Sequence, residues 1–143
     1  MSGSYKLDKN TNYQAFLAIQ GVGWALRKAA DSATTTHHLK HDLSTKKFHL
    51  KIAGLVSSET FYTVDGPSIQ TQIKDKIFDD FVTYLPDGNG IRILKVNKKE
   101  NYTIEVCRRL SADKSTITME QTCEFRDGSG KKETAIQVFK RVA

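Results

Sequence analysis

The stretch TIEVCRRL, residues 103–110, alternates as a β-strand does. Ile104, Val106, Arg108 and Leu110 share one face, and Thr103, Glu105, Cys107 and Arg109 share the other. The second face suits water. The first sets a guanidinium in an apolar row, and taking a charge out of water costs roughly several kcal/mol even after relaxation. An inward Arg108 therefore requires an anion, a hydrogen-bond network or retained water, and its planar fork suits a carboxylate. The competing reading is a twist or bulge that lets the side chain snorkel into solvent. Two amides are candidate neighbours. Gln121 falls on a face with Ile117, Met119 and Cys123, and Gln137 on a face with Phe139. Both can accept from a guanidinium, and neither neutralises it. The plainer alternatives are an ordered internal water for Gln121 and simple wall positions for Gln137 and Phe139.

Other chemistries fit less well. His37 and His41 share a strand face about 13 Å apart by strand rise. No Cys or His follows at zinc spacing, so surface histidines are expected and no metal. Asp79-Asp80 point to opposite sides of a strand, which is wrong for a paired-carboxylate acid and base. Cys123 has no histidine after residue 49 to serve as its base. No catalytic constellation is present, and no cofactor is implied. Cys107 and Cys123 are read as facing opposite sides of a sheet, so free thiols in a reducing compartment are expected. Lys and Arg number 22 against 16 acidic residues, a net charge of +6. The lysines are scattered as pairs in turns, without the basic stripe and exposed aromatics of a nucleic-acid surface, so no nucleic-acid partner is expected.

These side chains must be positioned by one domain, 1–143, since no linker or low-complexity block divides the chain. SYKLDK reads as a short strand, with Asn10 and Thr11 offering a helix N-cap. NYQAFLAIQ carries Tyr13, Phe16, Leu17 and Gln20 at helical spacing, Gly21-Val22-Gly23 breaks it, and WALRKAADS forms a second helix. After Ser32 the texture changes to short β-runs: THHLKHDL, KKFHLKIAG, SSETFYTV, SIQTQIKDK, IFDDFVTYL, GIRILKVNK, NYTIEVCRRL, STITMEQTCEFR and KKETAIQVFKRV. Asp65-Gly66, Asp87-Gly88 and Asp127-Gly128 read as hairpin dipeptides, and Ser44–Lys46, Lys98–Asn101 and Ala112–Lys114 as polar turns. Helices confined to the N-terminal part cannot serve as crossovers, so the sheet is antiparallel. With 38% hydrophobic residues, a thick multilayer core is disfavoured. The expected fold is all-β: a closed, antiparallel, ten-stranded up-and-down barrel whose edges vanish by closure. The two helices would form a lid across one open end.

On this reading the chain resembles the intracellular lipid-binding proteins, the family of fatty-acid-binding and cellular retinoid-binding proteins. GSYKL at 3–7 followed by NYQAFLAIQGVGWALRKAA at 12–30 is similar to the family's opening strand and helix–Gly–helix segment. CRRLSADK at 107–114 and QVFKRV at 137–142 match its later strand-and-turn and closing strand. The departures are Tyr5 for the family's usual Trp, Ala33-Thr34-Thr35 in place of Lys-Pro, and a longer last hairpin. The usual carboxylate trio of two arginines and a tyrosine reads here Arg108, Gln137 and Phe139.

The resemblance implies an internal cavity holding one hydrophobic ligand, a fatty acid on Arg108 or alternatively a retinoid, with Gln121, Gln137 and Phe139 nearby. Phe16 and Leu17 of the lid, Leu55 and Phe78 are expected near the portal. Arg27 and Lys28 would touch anionic membrane transiently. The protein is expected to be a cytoplasmic monomer.

Overall fold

A computed structural model describes residues 1–142. Its elements run β1 (Gly3–Thr11), α1 (Tyr13–Ile19), α2 (Trp24–Ser32), β2 (Thr36–Asp42), β3 (Lys47–Ala53), β4 (Ser58–Thr63), β5 (Ile69–Ile73), β6 (Lys76–Tyr84), β7 (Gly90–Asn97), β8 (Tyr102–Leu110), β9 (Thr116–Phe125) and β10 (Lys132–Val142). The expected strands after Ser32 are all present, most within a residue of their expected ends. One exception is β5, which stops at Ile73. Lys74 takes a left-handed φ of 54°, and with Asp75 it forms a two-residue turn that pairs Ile73 with Lys76. A Lys-Asp dipeptide carries no glycine signal, so the turn was hidden inside a polar run.

The chain does not supply the expected N-cap. Asn10 and Thr11 remain in β1, paired with Gln137 and Ile136. Asn12 turns the chain at φ 59° without capping α1, and its amide donates instead to Glu133 Oε2 at 2.9 Å and the Thr134 carbonyl at 2.8 Å. Pairing with β10 holds the strand past the point where a helix could begin. The polar turns take the form expected of them, with left-handed Lys46, Asn101 and Lys114.

All neighbours in the sheet are antiparallel, in the order β4-β3-β2-β1-β10-β9-β8-β7-β6-β5. The two ends of the chain close the wall, Ser4 opposite Val142 through Thr11 opposite Ile136. A register shift between Leu7 and Lys9 bends β1. Its first half pairs with β2, and its second half leaves β2 to lead into the helices.

The expected ten-stranded antiparallel barrel is present and nearly closed. β4 and β5 are consecutive in the chain yet form no ladder, so Asp65-Gly66 is not a hairpin turn. Asp65 adopts φ 62° and donates its N–H to the Val82 carbonyl of β6 at 2.8 Å. Turn chemistry alone gave no hint that β6 would capture this corner.

Tyr5, Leu39, Phe48, Val64, Ile91, Ile117 and Phe139 are buried and pack the end of the barrel away from the helices. Buried Gly90 lets β7 and β8 approach there. A Cβ on Gly90 would overlap the Arg108 carbonyl oxygen and press on Leu85 Cδ1. Gly90→Ala is therefore expected to destabilise the fold by about 1–3 kcal/mol or more, measured by urea denaturation. An unchanged midpoint would contradict this close approach.

Candidate ligand-binding cavity

Above that packed floor the alternation of the strands continues, but the inward side chains no longer meet. They and the helices enclose a cavity of about 610 Å³. Leu50, Ile52, Ile93, Ile104, Val106 and Met119 line its wall, and Phe16, Leu17 and Leu26 line its helical side. Leu55, Val56 and Ile73 lie at its rim and are partly in solvent. Phe78 is buried and reaches the same space.

Arg108 points inward at 3% exposure and does not snorkel. Its neighbours across the ladder are Ile91 of the floor and Met119 of the cavity wall, so it stands where packed core gives way to open space. Its Nε and Nη1 are buried without a hydrogen-bond partner. Burial pulls its pKa down to about 10.

The two amides are inside, but they serve each other, not the guanidinium. Gln121 Nε2 donates to Gln137 Oε1 at 2.8 Å, and Gln137 Nε2 donates to Asn10 Oδ1 at 2.7 Å. Both line the cavity. Phe139 does not; it is buried in the floor with its ring 4.3 Å from that of His37. His37 itself overturns the expectation of a surface histidine, because it shares a buried face with Leu39. That shared period was the available signal. Burial first, then the nearby Arg108 and His38, lower its pKa to about 2.

The sequence reading missed a second buried charge cluster. Asp80 Oδ2 accepts from the Tyr62 hydroxyl at 2.6 Å and from Lys95 Nζ at 2.7 Å. Lys95 also donates to Thr71 Oγ1 at 3.2 Å, and its ammonium lies 5.3 Å from the Phe78 ring centre. Burial outweighs the Asp80 charge and lowers the Lys95 pKa. The sequence carried only half of the signal: Phe78, Asp80 and Val82 share one face, whereas the pairing of Asp80 with Lys95 belongs to the ladder. That half was masked because the other face, Ile77 with Phe81, is equally apolar. With neutral His37, the interior carries Arg108 and Lys95 against Asp80, an excess of one positive charge.

Cys107 lies on the outer face beside Glu105, and Cys123 is buried inside. Both are free. Burial raises both thiols, Cys123 to about 12, so neither is poised as a nucleophile. Among the described residues no group of three or more His, Cys, Asp or Glu side chains could hold a metal ion, and no helix is long and apolar enough to cross a membrane.

No family model matches the chain. A fatty acid-binding protein of Lepidoglyphus destructor is 29% identical over 105 residues, covering 73% of this chain and 70% of that protein. The structure of the REP1-NXSQ fatty acid transporter superposes with a TM-score of 0.81 at 19% identity, over 99% of this chain and 96% of that one. Human cRBP IV superposes with a TM-score of 0.79 at 16% identity, over 99% of this chain and 98% of that one. The chain thus resembles the intracellular lipid-binding proteins in sequence and has their fold.

Neutral His37 has a consequence in acid. Its folded pKa is about 2 against an ordinary 6.5. Below pH 6.5 the unfolded chain takes up a proton that the folded protein refuses, so stability falls with pH, by up to about 1.4 kcal/mol per unit. From pH 7 to pH 5 the wild type should lose about 2 kcal/mol more than His37→Leu in urea unfolding. Equal losses would show that this imidazole is not held neutral.

Proposed function

We propose that this protein is a non-enzymatic carrier of the intracellular lipid-binding family, which holds one long-chain fatty acid in the cavity with its carboxylate on Arg108. The observation that carries the reading is a buried guanidinium that lines the cavity and has two nitrogens without a partner. One carboxylate would cancel the excess interior charge and accept hydrogen bonds along one edge of the guanidinium. The hydrocarbon would gain about 0.8 kcal/mol for each buried methylene, and the volume lies in the roughly 300–1,000 Å³ range of small-molecule sites. Relatives named for fatty acid binding support the same reading.

The second reading is a retinoid, favoured by Gln137 and Phe139 where the resemblance implies a second arginine and a tyrosine. Retinol would leave Arg108 without a counterion, so within this class an acidic retinoid fits better.

Delivery would use the helical side. Trp24 is 65% exposed on α2, with Lys28 Nζ 5.4 Å from its ring centre. Arg27 is less free than expected, since its Nη1 donates to the Val22 carbonyl at 2.9 Å. Transient contact of this face with anionic membrane, a monomeric state and a cytoplasmic location complete the proposal.

Arg108→Met should weaken binding of a fluorescent fatty acid roughly ten- to hundredfold. The same variant should raise the stability of the delipidated protein by about 1–4 kcal/mol, because it removes an uncompensated buried charge. Unchanged affinity would refute the role given to Arg108. Charge reversal at Arg27 and Lys28 should slow fatty-acid transfer to anionic vesicles and leave transfer to neutral ones alone. A rate indifferent to the reversal would remove the membrane contact.

A further inference from the structure

The reading of Arg108 as a carboxylate site assigns no role to the Tyr62, Asp80 and Lys95 cluster. The cluster lies at the seam where β4 and β5 form no ladder. Bridging that seam needs only the Tyr62 hydroxyl on Asp80. Both bonds to Asp80 fall on Oδ2, and its fully buried Oδ1 has no partner, so the carboxylate is already under-satisfied. Lys95 spends two N–H groups, on Asp80 and on Thr71, and no acceptor for the third occurs among the described residues. Thr71 Oγ1 accepts from Lys95, which frees its own hydroxyl hydrogen to donate. Lys95 and Thr71 both line the cavity. An ammonium and a hydroxyl, both donors, therefore lie side by side in one region of the cavity lining.

This region stands on a different row of the ladder from Arg108, within electrostatic reach of it. Lys95 is opposite Ile104 and Arg108 is opposite Ile91, four residues further along the ladder. The two rows are about 13 Å apart by strand rise. A saturated chain running from Arg108 past the seam would strip water from the Lys95 ammonium and return no hydrogen bond, which is a cost for any buried donor and largest for a charged one. An oxygen on the chain would return it.

We infer that the cargo is a hydroxylated long-chain fatty acid, whose chain oxygen accepts hydrogen bonds from Lys95 and Thr71 while its carboxylate sits on Arg108. The inference rests on the Arg108 reading, which gives the chain its direction.

The test uses the delipidated full-length protein with stearic acid and a series of monohydroxystearic acids, the hydroxyl walked along the chain, measured by titration calorimetry. The readout is the ratio of each affinity to that of stearic acid. At one or more positions the hydroxy acid should bind roughly tenfold tighter or better. The ratio should fall towards one in the double variant Lys95→Met/Asp80→Asn, which removes both charges together and leaves Tyr62 an amide oxygen. It should also fall in Thr71→Val, which leaves the ion pair intact. Ratios near one at every position in the wild type overturn the inference, as does a preference that survives in either folded variant. Failure of stearic acid to bind the wild type at all is a different result, and sinks the Arg108 reading itself.

Discussion

A guanidinium without a counterion inside a protein is a standing cost, and this fold is organised around tolerating it. Filling the hollow with side chains would remove the cost of the cavity but leave Arg108 with no water and no room for an anion. The open volume and the cation therefore depend on each other. Stability must come from elsewhere, from the packed floor and from the ladders that run around the wall. Arg108 sits at the boundary, with a floor residue on one side and a wall residue on the other.

The seam shows a second compromise. Backbone pairing runs through nine neighbouring strand pairs and stops between β4 and β5. There the Tyr62 hydroxyl reaches across to Asp80, and Asp65 N–H to Val82, where ladder bonds would otherwise be. Side-chain bonds hold one spot, whereas a ladder holds a length, so this edge of the wall is less constrained than the rest. Placing a charged pair at such a spot puts polar groups in the cavity wall without interrupting the sheet.

The helices are attached lightly. Neither has a side-chain N-cap, α2 buries none of its residues, and α1 contributes Phe16 alone to the buried core. Gln14 to the Asp31 carboxylate at 3.1 Å and Asn10 to the Asp31 carbonyl at 3.4 Å are the polar ties to α2. Short helices without caps or buried faces belong to the low-stability end of a structure, which suits elements that cover a cavity mouth.

The sequence by itself determined the strand periods, most turns and both helices, because each follows from alternation or spacing within one segment. Gln121 on the inner wall was legible for the same reason. The same alternation set Arg108 on an apolar face but left open whether the side chain enters or snorkels. Tertiary structure decided what local pattern cannot express. Phe78–Asp80–Val82 and Ile77–Asp79–Phe81 alternate equally well, and only the barrel's curvature says which trio is inside. Lys95 becomes a cavity residue only when the ladder sets it opposite Asp80. The period His37 shares with Leu39 hinted at burial, but its packing partner Phe139 lies about a hundred residues on in the chain. Asp65-Gly66 fails as a hairpin because β6 captures its amide. Period is a property of one strand, but burial, pairing and closure belong to strands distant in the chain, and a single sequence does not carry their contacts.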